Sequence, residues 1–279
     1  MLAKVRDLPP ISRAALELGN LLGRPDIDNQ EVVRVVKQDT VLTAKLLRAC
    51  NSPALGLKTG VASVDQAVLI LGHNQVSQMV TALAFRGSLA MPLPAYALAA
   101  DDLWRHSLLA ATAAQILVTE GLDFEVDSSV AFTVGLLHDI GKLITNEFLT
   151  RQASLAMRHQ ITEGRSLVEA ERHVLGTDHC EVGAALLYLW RLPYPLVEAV
   201  AFHHHKVFQP QPRLPAIACL ADALAHRAAS TQASRGTRSP DTDTQVLTAS
   251  GLSPEKLESL LARLCEFPAI PDELVAISA

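Results

Sequence analysis

The chain has 279 residues, 49% of them hydrophobic and only 4% aromatic, with a formal net charge of -5. That supplies core for one large domain or two medium ones, packed by Leu, Ala and Val, and it favours helices over sheets. The acidic balance and the lack of a long Lys/Arg cluster argue against direct nucleic-acid binding.

Nearly every segment reads as helix. Ile11 to Leu22 has apolar residues at helical spacing, and Asp28 can cap a helix carrying Val32, Val33, Val35 and Val36. Thr40 to Ala49 repeats the pattern with Leu42, Leu46 and Leu47. Ser63 with Gln66 is a capping-box signature before Val68 to Leu71, and Gly72 ends that short helix. A long amphipathic helix is expected from about Asn74 to Leu89. Met91-Pro92-Leu93-Pro94 then breaks the pattern and marks a boundary between an N-terminal bundle (1–93) and a second helical domain (94–279).

The second domain is expected to open with a helix from about Tyr96 to Glu120. Asp127-Ser128 caps the helix that leads to His138, and Ser166 with Glu169 forms another capping box before Val168 to Leu175. Further helices are expected from Thr177 or Asp178 to about Trp190, from Leu196 to His203, and from about Pro215 to Arg227. A segment at about 228–245, rich in Ser, Thr, Gly and charge, reads as a mobile loop or linker. Ser253-Pro254 starts a final helix, with proline at its first position. The architecture is therefore all-α, with no alternating strand pattern of any length.

No apolar run approaches the ~20 residues that span a bilayer. The segment from Met1 to Asp7 lacks a signal-peptide core. Cys50, Cys180, Cys219 and Cys265 lie far apart and form no CxxC pair, so they read as small buried residues in a reducing compartment. A soluble cytoplasmic protein, or a piece of a longer one, is the expectation.

The chemistry concentrates around His138-Asp139-Ile140-Gly141-Lys142, which closes the apolar run Val130 to Leu137. Burying adjacent His and Asp side chains is costly unless a cation takes an imidazole nitrogen and a carboxylate oxygen as ligands. Gly141 permits close approach of another group, and Lys142 adds a positive charge one turn from His138. The bland alternative is a helix end with incidental polar residues. His106, with Asp102 on the same helical face, His179, the run His203-His204-His205, and Asp222 in an Ala/Leu helix each have equally bland readings. Together, imidazoles separated by helix-length stretches are how a bundle-core metal site looks in sequence.

The order His106, His138-Asp139, Asp222 resembles the H…HD…D signature of HD-domain metal-dependent phosphohydrolases. His179 and the His203-His204 pair are similar to the added ligands of the HD-GYP branch. Asp39 to Arg48, Asn51-Ser52-Pro53 and Ala67 to Gly72 resemble the HDOD family, which joins an N-terminal helical bundle to an HD-like domain. The resemblance covers roughly residues 5 to 227. It implies a bacterial signal-transduction module, a response-regulator output beside receiver or cyclase domains, working through a regulatory protein partner or an upstream receiver domain. It also implies one or two divalent transition-metal ions (Fe, Mn, Zn or Ni).

On that resemblance His106, His138, Asp139 and Asp222 would hold one ion. His179, His203 and His204 would hold a second, with Asp139 bridging and Asp102 a possible further bridge. An active phosphohydrolase would use Asp139 and Lys142 as its catalytic residues and take a phosphate-containing ligand. Two departures matter. Lys206 to Pro210 stands where the HD-GYP branch has its glycine-rich GYP motif, which counts against cyclic-dinucleotide hydrolysis. Asp102 stands where that branch has a longer Glu.

Overall fold

The computed structural model of the protein describes residues 13–22, 29–57, 60–121, 126–205, 213–232 and 252–266. Among these residues the chain is helical, and its one extended pairing is an isolated bridge between Leu93 and Leu98. No described helix is long and apolar enough to cross a membrane.

The first lobe contains α1 (Arg13–Leu22), α2 (Asn29–Gln38), α3 (Thr40–Cys50) and α4 (Val64–Leu71). Asp39 starts α3 by accepting the Leu42 N–H at 2.9 Å. Ser63 starts α4 by accepting the Gln66 N–H at 3.1 Å, but the Gln66 side chain accepts the Ala62 N–H, so the expected box is only half made. Asp28, expected to cap α2, lies outside the described residues. Leu18, Val32, Val36, Leu46, Cys50 and Ala67 are buried between these helices.

Next comes α5 (His73–Leu89), at the expected place but without the expected amphipathic division. It is buried on most sides because it serves two cores. Val76, Met79, Val80 and Leu83 pack in the first lobe, while Ala82, Phe85 and Leu89 pack in the second.

The helix expected from Tyr96 instead begins six residues later, as α6 (Asp102–Ile116). Ala97 to Ala100 has helical propensity, but the chain makes a tight reversal there. Ala97 and Asp101 both adopt left-handed conformations, φ 58° and 67°. The Asp102 carboxylate accepts the Ala99 N–H at 2.7 Å within this turn.

After one π-helical turn (Leu117–Gly121) and a gap in the described residues come α7 (Ser128–Leu137), α8 (Lys142–Phe148) and α9 (Arg151–Thr162). The last two have no counterpart in the sequence expectation. Asp127 caps α7 through the N–H groups of Ser129 and Val130. Then follow α10 (Leu167–Leu175), with the full Ser166/Glu169 capping box, α11 (His179–Leu189), capped by Asp178, and α12 (Tyr194–Phe202). Last are α13 (Arg213–Gln232) and α14 (Pro254–Glu266). α13 continues through Ala228 to Gln232, into the stretch expected to be linker; residues 233–251 lie outside the description.

α6 packs against α7 and α13, and α11 against α12, around Trp104, Phe132, Leu136, Leu186 and Val200. The α6–α7 crossing is close because a Cβ at Gly135 would stand 2.5 Å from the Ala110 carbonyl oxygen.

Candidate metal centre

Five helices and the turn after α7 deliver polar side chains to one point in the second lobe. α6 brings His106 from its first two turns. The turn after α7 brings His138 and Asp139, and α8 opens with Lys142. α11 opens with His179-Cys180, α12 ends into His203-His204, and α13 carries Asp222 with His226 one turn on. Asp139, His138, His179 and His203 are fully buried.

Asp139 lies at the middle. Its Oδ2 is 3.6 Å from His106 Nε2 and 3.4 Å from His138 Nε2. Its Oδ1 faces the other way, 3.3 Å from His179 Nε2 and 3.8 Å from His203 Nε2. Asp222 Oδ1 closes the first half, 3.1 Å from His106 Nε2 and 3.6 Å from His138 Nε2. His204 Nδ1 stands 3.9 Å from Asp222 Oδ2, so it lies between the halves. Lys142 Nζ donates to Asp139 Oδ2 at 2.5 Å.

The rings are aimed from behind. Nδ1 of His138 is bonded to the Gly135 carbonyl at 2.7 Å, and Nδ1 of His203 to the Val200 carbonyl at 2.7 Å. Each bond turns Nε2 into the centre, as the partners of metal-bound imidazoles do. His179 Nδ1 meets Glu171 Oε2 at 2.6 Å, and the same oxygen accepts the His179 N–H. Tyr96 donates to the other oxygen of Glu171 at 2.6 Å. Gly141 permits the approach of the second half. A Cβ there would lie 1.9 Å from the His179 carbonyl oxygen and 2.7 Å from the Gly183 nitrogen.

Residues 8–206 match the HDOD domain family. The chain belongs to the HDOD family. Among curated relatives of this HDOD chain, an uncharacterized protein of Treponema pallidum is 26% identical over 242 residues, 79% of this chain and 42% of that protein. The Vibrio cholerae cyclic di-GMP phosphodiesterase CdgJ is 28% identical over 155 residues, 55% of this chain and 34% of that protein. The chain thus spans less than half the length of these two relatives. A crystal structure of a candidate phosphohydrolase from Shewanella amazonensis SB2B shares the fold with a TM-score of 0.72, at 24% identity, covering 100% of this chain and 97% of that one. The family match ends before Asp222 and His226, so α13 brings its donors from beyond the matched residues.

The sequence-expected set divides clearly. His106, His138, Asp139, His179, His203, His204 and Asp222 converge, and Lys142 touches Asp139. Asp102 does not join them, because its carboxylate is engaged at the start of α6. Sequence reasoning missed four members. His226 Nε2 is 3.1 Å from Asp222 Oδ1, an i,i+4 pairing that spacing alone reveals. Cys180 Sγ, 3.7 Å from His179 Nε2, was legible as a neighbour of an expected ligand. Glu171 and Tyr96 carried no sequence signal, since only the fold brings them behind His179.

The electrostatics of the HDOD pocket suit a cation. Burial resists ionisation of Asp139, yet Lys142 and His138 outweigh it and hold the carboxyl well below its usual range. Burial likewise works against charge on His203, but Cys180 and Asp139 raise its pKa to about 9. His179 is raised well above 6.5, because Cys180 and Glu171 overcome its burial. The Cys180 thiol falls to about 6, since His179 and His203 outweigh the opposing burial. His106 goes the other way, to about 4, through burial and the nearby His226. Protons are therefore drawn onto buried imidazoles by buried anions, and a metal ion answers the same field. Asp139 Oδ1 and His203 Nε2 are buried with no hydrogen-bond partner among the described residues, as atoms placed to coordinate a cation would be. Imidazole and carboxylate donors fit a divalent transition metal.

Proposed function

We propose that this chain is a signal-transduction HDOD module built around an HD-type centre for one or two divalent transition metals (Fe, Mn, Zn or Ni), acting by regulated protein interaction. The observation that carries the metal reading is Asp139, whose two oxygens face separate histidine sets. A carboxylate so placed would serve two cation positions at once. His106, His138, Asp139 and Asp222 would hold the first ion, and His179, His203 and His204 the second. The signalling part rests on HDOD membership and on likeness to a Vibrio protein named for a signalling nucleotide. Its partners would be a regulatory protein or a receiver domain.

The test is elemental analysis of the chain purified without added chelator. The expected result is about one to two equivalents of transition metal per chain, lost on replacing His138 and Asp139 together by Ala. A metal-free protein that takes up no added manganese, iron or zinc would refute the reading.

A second reading, metal-dependent hydrolysis of a phosphodiester or nucleotide, is favoured by access and by Lys142. The side chains of His106 and His226 are 16% and 28% exposed, so one side of the pocket opens outward. Metal in this centre would supply an activated water and polarise a phosphoryl oxygen. Lys142, released from Asp139 as that carboxylate takes its ligand role, would direct its ammonium at a phosphate. His106 and Asp222, as ligands of the first ion, would stand on the side of the centre that opens outward. A panel including cyclic dinucleotides decides the matter: turnover abolished by Asp139→Ala establishes an enzyme, and metal without turnover leaves the interaction module. The Lys206 to Pro210 segment, in place of a GYP motif, makes cyclic dinucleotides the least expected substrates.

A further inference from the structure

The two halves of the centre differ in one donor. Resting on the two-metal reading, we infer that Cys180 supplies a sulfur ligand to the second half, so that His179, Cys180, His203 and His204 form a site for a thiophilic divalent ion such as zinc. The ligand atoms of these four residues all lie within 4.8 Å of one another. Zinc with N and S donors sets ligand atoms about 3.3–3.6 Å apart, so side-chain contractions of roughly 1 Å bring these four into range, and Asp139 Oδ1, which faces His179 and His203, would be the shared fifth donor.

Two independent features point the same way. Cys180 is 2% exposed and its Sγ lies 3.7 Å from His179 Nε2, whereas Cys50 and Cys219 pack in apolar cores. A buried thiol set among imidazole nitrogens has around it the donor set of an N/S metal site. Beside it, His203 Nε2 is buried with no hydrogen-bond partner among the described residues. Its ring is 5.4 Å, centre to centre, from that of His179 and 4.2 Å from that of His204.

On binding, the Cys180 S–H bond breaks, its proton leaves to solvent, and a sulfur–metal bond forms; no electrons change hands. The first half, with His106, His138, Asp139 and Asp222, has only nitrogen and oxygen donors. The halves therefore select different metals: a borderline ion in the first and a softer one in the second.

Cobalt(II) added to the metal-free full chain tests this. The readouts are the near-ultraviolet sulfur-to-cobalt charge-transfer band and bound cobalt after gel filtration. The expected result is a band that Cys180→Ser removes and Cys219→Ser leaves intact, with bound cobalt falling from about two per chain to about one. His106→Ala makes the converse arm, losing one cobalt while keeping the band, and it holds even where a Cys180 variant fails to fold. Two bound cobalts without a sulfur band, or a band that survives Cys180→Ser, overturn the inference and leave the two-metal reading standing. A wild-type chain that binds no cobalt overturns both.

Discussion

The two lobes solve burial in opposite ways. Among the described residues α1 to α4 contribute no buried polar or charged side chain, and their core is Leu, Val, Ala and Cys50. The second lobe buries His138, Asp139, Lys142, Glu171, Asp178, His179, His203 and Asp222. Apolar burial stabilises at about 25 cal/mol per Å² without needing partners, whereas each buried charge must be matched or it destabilises. The first lobe is thus built for packing alone, and the second adds a charged interior to its apolar core. That difference locates the chemistry more firmly than any single motif does.

The sharpest way to break the comparison is Asp139→Ala. It leaves Lys142 buried without the carboxylate that neutralises it, so urea denaturation of the metal-free protein should show a loss of about 3–5 kcal/mol. Adding Lys142→Met should restore much of that. A loss below about 1 kcal/mol would mean that the pair is not the pivot of the second lobe. In the first lobe Leu46→Ala should cost about 3 kcal/mol through its cavity alone. Metal content should not change, and any fall in it would show that the lobes are not chemically distinct.

Chelation should act only through the second lobe. At about 100-fold excess over its dissociation constant, a bound metal adds roughly 2.7 kcal/mol, so stripping it should lower the melting temperature by several degrees in the wild type and not in the His138→Ala/Asp139→Ala variant. The metal effect should also depend on pH. His203 titrates at about 9, so its proton competes with the ion across the neutral range. Affinity measured by competition with an indicator should rise between about pH 6.5 and pH 8.5, and a flat profile would count against His203 as a ligand. The smallest effect belongs to Ser63→Ala, which removes the cap of α4 and should cost about 1 kcal/mol, read as a small melting shift with no change in metal.

Much of the centre was legible because the costly residues stood out against apolar helices. His138-Asp139 after Val130 to Leu137 and Asp222 among alanines are examples. The orienting groups were not legible. Glu171 looks like any helix glutamate until α10 is folded against α11, and Tyr96 sits in a turn that composition presents as helix. The start of α6 was misplaced for the same reason, since alanine propensity at 97–100 yields to a reversal that only the surrounding packing imposes. α8 went unread because it is only seven residues long, and α9 because little of it is apolar, with Ser154 and Met157 its buried residues. Gly141 was read as a place of close approach, and the His179 carbonyl is what approaches it.

The double duty of α5 bears on how the molecule comes apart. A chain cut at Pro92–Pro94 looks like two pieces, yet Ala82, Phe85 and Leu89, from the first piece, belong to the core of the second. A fragment starting at residue 94 would present that bare face to water, and a fragment ending at 93 would carry an uncovered helix end. α5 spans about 25 Å and lends side chains to both cores, so melting one lobe uncovers apolar surface of the other. On heating, the two lobes should share a single cooperative transition across the seam visible in the sequence.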